Sequence, residues 1–171
     1  MAGSTLNLGL PYPSGPDAND VPYWMQAQAE ALDTLLGAAW QSYTPVLTAT
    51  TTDPSLGSGT NYVQVGRVLK VGRHVQYRGS LRFGASGAVG GAGTYRVSLP
   101  YPPRLGSILL GGVGAVVDNS AGDYYGCAWL LQNVEYMEGR VFGSGTLTAT
   151  SPFTFTTNDW LNWNITYETD S

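Results

Sequence analysis

A single stretch of helical spacing is followed by a long body of two-residue alternation, and that order constrains the fold more than any individual motif. Val21, Met25, Gln28, Leu32, Leu35 and Ala39 recur at steps of four and three, the rhythm of a helical seam, with Gln28 as a polar layer that sets register. Asn19 or Asp20 is placed to cap this helix, Pro22 is tolerated in its first turn and Gly37 ends it, so the spacing predicts a short helix within residues 20–39. A stripe of under three heptads cannot hold a helix alone. It must be covered, either by the same helix in other copies of the chain or by the chain's own body. Trp24 and Trp40 bracket the helix and are expected to anchor its ends against the first strand.

From Tyr43 onward the period is two. Tyr43 to Thr50 reads as a first strand, and residues 62–71 and 74–83 read as a hairpin turning at Gly72-Arg73. Val75, Tyr77, Gly79, Leu81 and Phe83 alternate with Gln76, Arg78, Ser80 and Arg82, so one face is buried and the other faces water or a partner. Further strands are expected at Thr94–Leu99, Ile108–Val117, Tyr124–Leu131, Val134–Phe142, Gly145–Thr150 and Trp160–Glu168, with residues 84–93 as a glycine-rich loop. Short strands separated by turn signals predict a mainly β fold, a jelly-roll-like antiparallel β-sandwich over residues 40–171. Before the helix, Gly9, Pro11, Pro13, Gly15 and Pro16 favour an extended arm over residues 1–19 that docks onto another component.

Charge is sparse: 12% of residues are charged, against a usual share of about 25% in soluble domains. A net charge of −4 argues against nucleic acid as a partner. The distribution is uneven, however. Arg67, Lys70, Arg73, Arg78, Arg82, Arg96 and Arg104 all lie between Asp53 and Asp118, an interval without a carboxylate. Alternate strand positions facing water would explain them; the sharper reading makes Arg67, Arg73, Arg78 and Arg82 a face for an anionic partner. Cys127, the only cysteine, sits in an apolar run and reads as a small buried hydrophobe. The N-terminus has neither the basic start nor the apolar core of a signal peptide, and no run approaches a membrane span, so assembly in a cytoplasm without membrane insertion is expected.

Chemistry-bearing patterns are weak throughout. The glycine-rich stretches lack the Lys-Ser/Thr of a phosphate loop, and His74 is the sole histidine, so neither a histidine metal cluster nor a cofactor is indicated. Asp118 with Asp123, or Glu135 with Glu138, are nominal acid and base pairs for glycoside hydrolysis, but each suits a turn equally well, and no catalytic residue is assigned. The surplus lies in the aromatics, five Trp and eleven Tyr. Tyr124, Tyr125, Trp129 and Trp160, with Tyr136 beside them, are candidate glycan contacts, since a planar ring can receive the apolar face of a sugar; strand and interface packing is the alternative.

Trp40-Gln41-Ser42-Tyr43-Thr44-Pro45, the hairpin from Val65-Gly66-Arg67 to Arg82-Phe83-Gly84, Ser98-Leu99-Pro100, and Thr148 to Phe155 leading through Asp159 to Tyr167 resemble modules of minor tail and fibre proteins of tailed phages, especially those of actinobacterial hosts. Gly9-Leu10-Pro11-Tyr12-Pro13 with Ala27-Gln28-Ala29-Glu30-Ala31-Leu32-Asp33 is similar to the stretch that attaches such modules to the particle. The resemblance implies a homotrimeric virion appendage, with its N-terminus bound to other virion proteins and its β-domain outward for adsorption to the host envelope; host cell-wall glycan is a partner that the candidate aromatic contacts would suit. It brings no catalytic residues. The chain lacks the extended shaft of long fibres, which leaves a short receptor-binding tip, a head fibre or a capsid decoration protein as its possible forms, with a cell-wall glycan hydrolase as the competing class.

Overall fold

A computed structural model describes residues 2–4, 11–13, 23–36, 39–104, 110–131 and 135–170, with backbone alone at 2–4, 11–13, 23, 24, 35 and 36. Ala2–Ser4 (β1) pairs antiparallel with Pro11–Pro13 (β2), Gly3 opposite Tyr12. The described parts of the expected extended arm form a small two-stranded ribbon. The helix is α1, Tyr23–Leu36; Val21 and Gly37, part of the expected span, lie outside the described residues.

The β-body contains Gln41–Tyr43 (β3), Leu47–Ala49 (β4), Val63–Val71 (β5), His74–Arg82 (β6), Tyr95–Ser98 (β7), Leu110–Asp118 (β8), Asp123–Leu131 (β9), Tyr136–Val141 (β10), Gly145–Thr146 (β11) and Trp160–Glu168 (β12). They form one antiparallel sheet in the order β3-β5-β6-β12-β8-β9-β10-β7-β4, with β11 added on β10. The fold is mainly β, a curled sheet consistent with the jelly-roll-like sandwich expected from the alternation.

The expected first strand, Tyr43 to Thr50, is instead broken at Pro45, whose ring offers no N–H to a ladder. Its first half pairs with β5, Ser42 opposite Arg67, and its second half with β7, Thr48 opposite Arg96. One short segment thus supplies both ends of the sheet and closes the curl through the chain itself. The seam is sewn by Val46 N–H donating to Ser98 Oγ (2.8 Å), Ser98 N–H to Val46 O (3.0 Å) and the Tyr43 hydroxyl to Ser98 Oγ (2.9 Å). Another correction concerns Gly145–Thr150: only Gly145–Thr146 is strand, because Thr148 turns away to bridge Thr94 and Ser151.

Period-two alternation decides the core. Val75, Tyr77 and Leu81 of β6, Leu161, Trp163 and Ile165 of β12, and Cys127, Trp129 and Leu131 of β9 all point inward into one buried cluster. Burying each such large side chain contributes about 1.5–3 kcal/mol. Rings meet edge to face across it: Tyr43 on Tyr77 (5.6 Å between centroids), Tyr77 on Trp163 (5.4 Å) and Trp163 on Trp129 (5.9 Å). The glycine-rich loop packs along residues 52–58 through paired backbone bridges, Thr52 to Ala92 and Ser55 to Val89. At Gly91, φ is +70° and an added Cβ would lie 2.3 Å from Thr52 O, so only glycine fits.

Candidate functional site

The outward positions of the same strands build the exposed face of the sheet. Across adjacent strands, Arg82 lies opposite Trp160, Trp160 opposite Val117, and Val117 opposite Tyr124. Trp160 and Tyr124 therefore flank Val117 two strand spacings apart, roughly 9.5 Å. Val117 is only 3% exposed between them, whereas Tyr124 is 73% exposed and Trp160 is half-buried. Beside Tyr124 the 65%-exposed ring of Phe142 lies on Gly126, where an added Cβ would stand 2.8 Å from Phe142 Cδ2. Glycine at that outward position makes room for the ring. The three aromatics form a strip on the outer face.

Two of the four expected glycan contacts, Tyr124 and Trp160, join this strip, and two do not. Strand alternation turns residue 125 opposite to 124: Tyr125 packs on Phe153 with ring centroids 5.6 Å apart. Trp129 is fully buried, its indole N–H donating to Asn162 O at 3.1 Å, and cannot meet a ligand. Tyr136 faces outward on a different part of the sheet and carries Arg96, whose guanidinium lies 4.3 Å above the ring and whose Nε donates to Glu138 Oε1 at 2.9 Å. Phe142 was legible only as the last residue of the expected strand Val134–Phe142; its signal is the pairing of an aromatic with an outward glycine on the neighbouring strand.

The support of the strip comes from a buried carboxylate that the sequence reading overlooked. Asp159, fully buried, accepts hydrogen bonds from Asn119 N–H (2.9 Å), Thr156 N–H (2.7 Å) and the Thr156 hydroxyl (3.2 Å). It thereby ties the β8–β9 turn to the entry of β12, immediately before Trp160. Arg82 reinforces the junction, donating to Asn158 O (3.1 Å) and Asn119 Oδ1 (3.5 Å).

The expected cationic face divides in the same way. Arg67 and Arg78 stand directly opposite each other on β5 and β6, and Arg82 lies further along the same outward face. Among the described residues, none of the three is ion-paired with a carboxylate. Arg73 departs from them: at the hairpin turn it donates to Thr169 O (3.1 Å) and pairs with Asp170 (3.4 Å), which Arg104 also approaches at 3.5 Å. Trp40 lies against Arg78, 4.3 Å from ring centroid to guanidinium. The side chain of Trp24 lies outside the described residues.

Asp118 and Asp123 face each other at the ends of β8 and β9, and Asp118 Oδ1 accepts from the Ser120 hydroxyl (2.6 Å) and from the N–H groups of Ser120 (2.9 Å) and Ala121 (3.1 Å). These bonds, led by the Ser120 hydroxyl, hold the Asp118 carboxyl below the usual carboxylate range, opposite to what a general acid requires. Glu138 is engaged by Arg96, as above, and Glu135 lies beside the end of β7, its carbonyl accepting from Leu99 N–H at 2.9 Å. His74 is exposed next to the hairpin turn. Among the described residues no group of three His, Cys, Asp or Glu side chains is arranged to hold a metal, and no helix is long and apolar enough to cross a membrane.

On α1, Met25 and Leu32 of the predicted stripe are 48% and 46% exposed, and Gln28 between them is exposed as well. Ala39 is exposed beyond the end of the helix; Val21 and the Leu35 side chain lie outside the described residues. Of the described helix side chains only Asp33, 4% exposed, is buried; the exposed Ala31 and Thr34 line an open depression with Lys70 and Gly72 of the β5–β6 hairpin. The chain's own body therefore does not cover the described part of the stripe. Protein-family models, curated proteins and solved structures yield no match to this chain.

Proposed function

We propose that the chain is a structural virion protein of a tailed phage, a short trimeric fibre or receptor-binding tip that attaches to host cell-wall glycan. The observation that carries this reading is the outer-face strip of Trp160, Tyr124 and Phe142, aromatic surface held on the sheet with Tyr124 and Phe142 exposed and Trp160 half-buried. A sugar ring stacks on such a surface through its apolar C–H face, and aromatic area of this kind is otherwise a cost in water. The open stripe of Met25 and Leu32 supplies the second element, a surface for gathering copies. Three weak sugar contacts on one particle then act together through effective concentration.

The test is binding of the purified full chain to isolated host cell walls, with Tyr124→Ala and Phe142→Ala alongside. Retention of the wild type and loss in both variants is the expected result; equal retention of all three overturns the reading. Electron microscopy of particles carrying a label on the C-terminus separates a tail position, which this reading expects, from a head fibre or decoration protein. Release of soluble sugar from the walls would establish the hydrolase instead.

A further inference from the structure

We propose that Arg67 and Arg78 form a binding site for an oxyanion, a phosphate or carboxylate group carried on a polysaccharide. Their cross-strand pairing puts two like charges side by side, with Cβ atoms about 4.5–5.5 Å apart, an arrangement that is unfavourable unless something neutralises it. No described carboxylate does so. The neighbouring outward positions, Ser42, Val65, Leu69, Gln76, Ser80 and Asn164, include no acid.

The pair is also oriented. Arg78 lies over the Trp40 ring, 4.3 Å from guanidinium to centroid, while Arg67 donates through Nη1 to Ser42 Oγ at 3.1 Å. Both supports come from residues 40–42, the start of the segment that closes the sheet, so two otherwise mobile side chains are held over a fixed floor. That floor is an open depression of about 370 Å³ lined by Val65, Arg67, Arg78, Ser80 and Asn164, with Gly66 and Gly79 at its base. An oxyanion here takes charge-assisted N–H bonds from both guanidinium groups, and Ser80 and Asn164 offer a hydroxyl and an amide for the groups that flank it.

The oxyanion site rests on the arginine pair alone; the choice of a polysaccharide as carrier rests on the receptor reading above. Net charge of −4 disfavours a nucleic acid in that role. The experiment uses the full chain and two sets of probes. Inorganic phosphate is titrated against sodium chloride of matched ionic strength, with backbone amide shifts followed at Ser42, Arg67, Arg78 and Asn164; dextran phosphate, unmodified dextran and oligothymidine are then compared as carriers.

Saturable shifts with phosphate but not chloride are expected, together with binding of dextran phosphate that weakens about ten- to a hundredfold in Arg67→Gln/Arg78→Gln. Unaltered urea unfolding of that variant in chloride confirms that the loss is not one of folding. Phosphate acting no differently from chloride, or dextran phosphate binding unchanged in the variant, overturns the site. Oligothymidine binding as tightly as dextran phosphate overturns the polysaccharide carrier. A site that holds dextran phosphate in a chain that ignores host walls leaves the oxyanion site standing and removes the receptor reading.

Discussion

Trp163 occupies the space into which any side chain at Gly79 would grow: a Cβ there would lie 2.3 Å from Trp163 Cζ2 and 2.8 Å from Val65 O. The two residues are paired across β12 and β6, so the indole lies over its neighbour's bare backbone and reaches on to Tyr77 and Trp129. Gly79→Ala is therefore expected to cost about 1–3 kcal/mol through overpacking, seen as a lower midpoint in urea unfolding. A variant as stable as the wild type would mean that the ring has room to move.

The aromatic strip and the aromatic core respond oppositely to truncation. Tyr124→Ala, at a 73%-exposed position, is expected to change stability by no more than about 0.5 kcal/mol while abolishing retention on cell walls. Trp129→Ala, at a fully buried one, is expected to cost about 3–5 kcal/mol. Chemical denaturation paired with the wall-binding assay reads both, and a destabilised Tyr124→Ala would place that ring in the core.

Association through α1 makes a prediction about mass. Met25→Glu and Leu32→Glu, both on the exposed stripe, are expected to convert a trimer to a monomer with an unchanged circular-dichroism spectrum. Sedimentation equilibrium of wild type and variants decides it. A wild type that is itself monomeric would remove the helix from the assembly.

The core is also expected to fail in alkali. Burial raises the phenols of Tyr77, Tyr95 and Tyr167 above their ordinary value near 10, and pushes the Cys127 thiol up to about 12. Each group holds its proton more tightly folded than unfolded, so the unfolded chain ionises first as pH rises. Stability from this source is complete below about pH 8.5 to 10, the unfolded values, and declines as pH climbs toward the folded ones. Urea midpoints measured from pH 7 to 11 are expected to hold and then fall, and Cys127 is expected to react with a thiol reagent only on unfolding.

Strand Trp160–Glu168 was legible to its end residues because its alternation is unbroken and turn residues flank it. The hairpin of β5 and β6 was legible for the same reason, with Gly72 at its turn. The break at Pro45 was not, since Tyr43 to Thr50 keeps a strand-like composition on both sides of the proline, and which sheet end each half joins is decided by distant partners. The site was legible in half. Tyr124 and Trp160 meet only through β8, and the register that aligns them with Val117 is a long-range property; Trp129 was misassigned because aromatic character alone does not say which face of a strand it takes.

That Gln41–Tyr43 and Leu47–Ala49 are both terminal strands of the sheet, three residues each and linked by a tripeptide, has a consequence for how copies come together. The described body exposes no long row of unpaired amides onto which a second sheet could zip. If copies associate as proposed, their bodies would meet through side chains and not through added strands, and the helix would set their number without competition from fibre-like stacking of the sheet.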